Sequence, residues 1–193
     1  MKEKIPHRKI SFTGGFTLVE ALVAVSIVLV GVTATFGVAQ FGLSSTSAVR
    51  NRVTAMYLAQ EGLEAVKNIK DSNLQKISLD DSDINWLEDI SAGGSAPCDS
   101  DSSCGYDINY SSAGGALKSC PELQDCRVQI DSNGTSKMYR QMLDWNGEDT
   151  GFIREIFVEE IIADQEARVT VVISIPDSSF DPFTVRSVIY NWF

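Results

Sequence analysis

Gly14-Gly15-Phe16-Thr17-Leu18-Val19-Glu20-Ala21, continued by LVAVSIVLVGVTATFGVA over residues 22–39, is the stretch on which the reading of this chain turns. Residues 21–39 carry no formal charge, and Phe16 to Val19 in front lengthen the apolar run. Roughly 20 such residues, at about 1.5 Å each, cross a hydrocarbon core as a helix. Lys2, Lys4, Arg8 and Lys9 precede the run, while only Arg50 and Arg52 follow closely. That cation bias predicts a cytoplasmic N-terminus, with everything after about residue 43 extracytoplasmic.

Two plainer readings compete. In one, the segment is a secretory signal cleaved near Gly37-Val38-Ala39, leaving a soluble product. The apolar run is longer than the ~7 to 15 residues of such a signal, and Glu20 lies inside it, where a signal has no use for a carboxylate. In the other, the segment is an uncleaved anchor. An acid inside a span is expensive unless it snorkels or finds a partner, so Glu20 is a candidate functional residue, with snorkelling alone as the alternative.

The order of basic leader, glycine pair, aromatic, acid and long apolar run resembles the class III signal of type IV prepilins and pseudopilins. The resemblance implies cleavage by a prepilin peptidase after Gly15, N-methylation of Phe16, and retention of the apolar segment on the mature protein. It further implies that Glu20 meets the terminal amine of a neighbouring subunit and sets axial register. Such a pair relieves two charges that are costly alone in hydrocarbon, and methylation keeps the amine charged. Implied partners are the peptidase, other pilin subunits, an inner-membrane assembly platform and, before assembly, membrane lipid.

Beyond the span, residues 48–70 keep helical spacing, with Val49, Val53, Met56, Leu63, Val66 and Ile69 on the expected apolar stripe. Arg50, Arg52, Gln60, Glu61, Glu64 and Lys67 make the polar face. A continuous helix from Phe16 to about Lys70 would reach roughly 80 Å. Residues 91–136 hold ten Ser and six Gly but only five large apolar residues, and read as loop and not core. The same segment carries Cys98, Cys104, Cys120 and Cys126. An oxidising compartment favours disulfides, and short loops close with least entropy, so pairing within each couplet is expected first among three connectivities. A four-thiolate zinc site is the rival, disfavoured by the spacing.

The C-terminal third supplies the expected core. Ala167, Val169, Val171, Ile173 and Ile175 alternate with Glu166, Arg168, Thr170, Val172 and Ser174, the pattern of a strand covered on one face. Residues 183–193 read as another strand, and residues 151–162 as a preceding strand with a short helix as the alternative. The expected fold class is α+β: a long N-terminal helix, membrane-spanning in its first half, packed on a C-terminal antiparallel β-sheet of about 151–193. The expected organisation is a cleaved leader (1–15), a transmembrane or filament-core helix (16–43), an amphipathic continuation (44–71) and an extracytoplasmic head (72–193), pilin-like in its order of elements.

Composition narrows the chemistry. The chain has 193 residues and a net charge of −10; the first 15 residues contribute +3, so the remainder carries −13, which repels phosphate backbones. No nucleic-acid partner is expected. His7 is the single histidine and lies in the leader, so a mature chain lacks Ser-His-Asp and Cys-His catalysis and His-ligated metal sites. Asp80, Asp81, Asp83, Asp99 and Asp101 fit no EF-hand spacing and read as solvated loop charge. Asn109-Tyr-Ser and Asn133-Gly-Thr match the glycosylation pattern by accident in a bacterial-type export context. No catalytic residue, metal or cofactor is expected. The functional expectation is a structural subunit of a type IV pilus or pseudopilus, a minor pilin displayed at the cell surface. The alternatives are a type II secretion pseudopilin, a monomeric anchored adhesin whose Cys-bearing loops bind a ligand, and, least supported, an anchored hydrolase working through paired carboxylates.

Overall fold

A computed structural model describes residues 14–79, 84–92, 97–107, 116–130, 139–141, 147–176, 178 and 180–192. Its compact units are Met1–Ser47 and Ala48–Phe193. One helix, α1 (Leu18–Ser78), supplies the regular structure of the first unit and continues into the second. Among the described residues the strands all belong to the second: β1 (Cys104–Asp107), β2 (Ala116–Ser119), β3 (Arg127–Ile130), β4 (Tyr139–Arg140), β5 (Glu148–Ile162), β6 (Glu166–Ser174) and β7 (Phe183–Tyr190). The α+β expectation holds.

The helix starts at Leu18 and not at Phe16. Two glycines disfavour helix before it, and Thr17 caps it, its Oγ1 accepting the Glu20 backbone N–H at 3.3 Å. Threonine at the cap and glutamate three residues on is the capping-box pattern. The helix passes without interruption through Gly31, Gly37 and Gly42. The hydroxyls of Ser26, Thr33 and Thr35 in the apolar segment donate to the helix's own carbonyls, Ser26 Oγ to Leu22 O at 2.7 Å and Thr33 Oγ1 to Leu29 O at 2.9 Å, so they need no water.

At the other end the helix runs to Ser78, past the expected stop near Lys70. No proline or glycine interrupts residues 71–78, and Asn73 and Leu74 are buried. Asn73 Nδ2 donates to Glu88 O at 2.8 Å, tying this turn to the segment that carries Trp86, Leu87 and Ile90 into the core.

The expected apolar stripe is corrected in part. Val66 is fully buried and Leu63 and Ile69 are partly so, but Val49, Val53 and Met56 are exposed. The face laid on the sheet is Ala55, Leu58, Ala59, Gly62, Ala65 and Val66, mostly small residues. Close approach explains the choice: a Cβ on Gly62 would stand 3.3 Å from both Ile156 Cδ1 and Val171 Cγ1.

The seven strands form one sheet in the order β2-β1-β5-β3-β4, with β6 on the other edge of β5 and β7 beyond it. β5, β6 and β7 make the expected antiparallel meander. Ala167, Val169, Val171 and Ile173 are each fully buried, as the alternation predicts. The strand expected from residue 151 begins at Glu148, and Gly151 takes φ 77° where the register with β3 shifts. A bulge there needs a left-handed residue, which glycine supplies without strain.

Residues 91–136 are not simply loop. Three short strands, β1, β2 and β3, lie within them, and Tyr106, Leu117, Val128 and all four cysteines are buried. Two covalent links and pairing to β5 provide what the composition lacked in apolar area.

Candidate assembly surface and head framework

Every described residue from Gly14 to Arg50 is exposed. Fifteen of them between Phe16 and Leu43 are large apolar side chains, Phe16 itself 73% exposed. Burying one such side chain is worth about 1.5 to 3 kcal/mol, so the gross driving force to cover this surface is on the order of 20 to 45 kcal/mol. Monomeric soluble proteins do not leave contiguous apolar surface on this scale. Residues 18–47 alone give roughly 45 Å of helix, more than a bilayer core requires. The helix is therefore a candidate membrane anchor.

Gly14, Gly15 and Phe16 precede the helix as exposed, non-helical chain, and Glu20 stands exposed in its first turn. A carboxylate there is favoured by the partial positive charge of the helix N-terminus. Sequence reasoning missed the Thr17–Glu20 pairing, although the T-x-x-E signal is plain. The bond observed there is from the Glu20 backbone N–H to Thr17 Oγ1, so the cap is Thr17's, and the Glu20 carboxylate adds only its favourable place at the helix N-terminus.

The head is organised around a buried cation. Arg154 is 1% exposed on the face of β5 that holds Ile156 and Val158. Its Nη1 donates to Glu61 Oε2 at 2.7 Å, Nη2 to Tyr106 O at 2.8 Å, and Nε to Gln141 Oε1 at 2.9 Å. The guanidinium carbon lies 5.8 Å from the centre of the Tyr106 ring. Helix, flanking strands and central strand are joined through one side chain. Sequence reasoning missed Arg154 because residues 151–162 alternate ambiguously: Ile153, Phe157 and Ile161 are as apolar as Phe152, Ile156 and Val158, so neither face was marked as inward.

Gln141 fills a break in the ladder. The edge of β5 opposite β6 pairs with β1 at Ile156 and with β3 at Ile153, leaving Arg154 between them. The Gln141 amide stands in the gap: Nε2 donates to Arg154 O at 2.7 Å and Cys126 O at 2.6 Å, and Oε1 accepts from Tyr106 N at 3.2 Å. A Cβ on Gly105 would lie 2.7 Å from the Gln141 amide carbon.

Cys98 is bonded to Cys104 and Cys120 to Cys126, with Cα separations of 5.1 and 5.6 Å. Pairing is local within each couplet, and no thiolate remains for the zinc alternative. Loops of this size restrict the unfolded chain by about 2 kcal/mol each in the chain-entropy picture.

The acidic loop residues make structure. The Asp99 carboxylate accepts from the backbone N–H groups of Ser102 and Asp101, the latter at 2.7 Å, and these bonds hold its pKa below the ordinary value. Its stabilising contribution is present above the ordinary carboxylate pKa and is lost as pH falls through the depressed one. Burial pushes Glu155 the other way, partly offset by a hydrogen bond from Ser103. A raised carboxyl favours the folded state below its ordinary pKa, an advantage lost as pH rises through the raised value. Asp80, Asp81, Asp83, Asn109 and Asn133 lie outside the described residues.

Fold and surface define a class: an α+β protein with one apolar helix left uncovered at its N-terminal end and an antiparallel sheet packed on the rest, an architecture like that of a pilin. No family model, curated protein or solved structure matches the chain.

Proposed function

We propose that the chain is a structural subunit of a type IV pilus or related pseudopilus, a minor pilin that works by polymerisation and not by catalysis. One observation carries the reading: the uncovered apolar helix opens with a single acid, directly after a glycine-phenylalanine junction and a basic leader. In this reading prepilin peptidase cuts after Gly15, Phe16 is N-methylated, and the span holds the head outside the inner membrane until assembly. Other subunits then replace lipid around residues 16–43, guided by the assembly platform. The Glu20 carboxylate pairs with the neighbouring amine, because apolar packing along a rod lacks register and one charge pair supplies it.

N-terminal sequencing and intact mass of the mature chain test the processing step. The expected terminus is methylated Phe16; a chain still beginning before Phe16, or trimmed beyond residue 39, rejects the reading. Glu20→Gln separates the cap from the charge, since glutamine also serves a capping box. Surface display is expected to fall at least about tenfold, the equivalent of about 1.4 kcal/mol lost per contact. Normal display of that variant would leave the Glu20 charge no role between chains.

A further inference from the structure

We propose that the cysteine-bearing flank of the head is oxidation-gated: residues 97–107 and 116–130 dock on β5 only once both disulfides have closed, whereas the meander and its helix face form without them. This gating is independent of the pilus reading.

The sheet is divided in how it is held. From Ile153–Ser174 to Ile162–Glu166, β5 and β6 form a long ladder broken only by a bulge, and β6 pairs with β7 along its length from Phe183 to Tyr190. These strands contain no cysteine and place Ile156, Val158, Val169 and Val171 against the small-residue face of α1. By contrast, β1 meets β5 at the single pair Cys104↔Ile156, and β3 meets it across a register shift. A ladder so short contributes few backbone bonds, and short strands need other support.

The disulfides add support, and a set of flank bonds lies in or beside the loops they close, apart from those that Tyr106 and Val128 make to Arg154, Gln141 and Thr150. Cys98 N donates to Ile90 O at 3.0 Å, and Val158 N donates to Asp99 O at 3.3 Å, inside the loop closed by Cys98–Cys104. Cys120 N donates to Ser103 O at 2.9 Å, joining the two closed loops, and Ser103 Oγ lies 3.9 Å from Cys126 Sγ. Cys120–Cys126 covers Ile153 in a small cluster apart from the main core. Cys126 O is also an acceptor of the Gln141 amide. Open thiols free both loops and release these bonds together.

Closing each disulfide removes two electrons and two protons from two thiols. A disulfide oxidant accepts them by exchange and leaves as a dithiol, so the head consumes two equivalents. In a reducing compartment the flank stays undocked while the meander is already able to fold.

Hydrogen exchange on the full chain in detergent micelles tests this, comparing the oxidised protein with protein reduced until four thiols are titrated. A variant carrying Cys98→Ala, Cys104→Ala, Cys120→Ala and Cys126→Ala serves as a disulfide-free form. The expected result is exchange at least about 100-fold faster for amides of 104–107, 117–119 and 127–130, with those of 168–173 and 185–189 changed by less than about threefold. Retained flank protection in either disulfide-free form overturns the proposal. So does loss of meander protection together with the flank, which would make the head one cooperative unit.

Discussion

Gln141 takes the place of a strand residue where β5 changes partner, and its amide satisfies two carbonyls, one backbone N–H and the Arg154 Nε. A buried polar group left unpaired costs about 1 to 3 kcal/mol, so Gln141→Ala is expected to lower stability by roughly 3 to 5 kcal/mol. Gly105→Ala drives a methyl into that amide and is expected to cost about 2 to 4 kcal/mol. The two effects share one cause, so the double variant will lose clearly less than the sum, read by denaturant unfolding of the detergent-solubilised chain. Full additivity would show that the space beside Gly105 is unrelated to the amide. Neither residue stood out in sequence. Gln141 lies in a short connection and has no periodic signature, and the function of Gly105 depends on a side chain 36 positions away.

Elements show what patterning can and cannot decide. Period-two alternation located β6 because its covered face is purely apolar, and long uncharged sequence located the first half of α1. The apolar stripe of the second half was misplaced because hydrophobicity was read and size was not. Where a helix lies close to a sheet the contact face is made of Ala55, Ala59, Gly62 and Ala65, and the larger Val49, Val53 and Met56 are turned away. β1 to β3 were illegible for a different reason: they are four-residue strands whose stability comes from covalent links and long-range pairing, and neither leaves a local pattern. At Gly62 the two terms oppose. Alanine gains about 1 kcal/mol of helix propensity but meets Ile156 and Val171 at 3.3 Å, so Gly62→Ala is expected within about 1 kcal/mol of the parent. Gly62→Leu overpacks the contact and is expected to cost about 3 kcal/mol or more by the same unfolding measurement. Equal stability of the leucine variant would mean that helix and sheet are not in close contact there.

Taken whole, the molecule divides its sequence between two tasks. Residues 48–193 build a head from small-residue helix packing, an alternating meander, a buried Arg154 network and two disulfides. Residues 16–43 leave fifteen large apolar side chains with no cover of their own, and a surface that greasy requires either lipid or protein. In the proposed pilus role, lipid would cover it first and other subunits afterwards. The direct measurement is photo-crosslinking from benzoylphenylalanine placed at Val28, comparing membranes with material sheared from the cell surface. Polymerisation through α1 predicts lipid adducts in membranes and adducts to the apolar helix of another pilin subunit in the sheared fraction. Lipid adducts alone, with no chain in the sheared fraction, would contradict it.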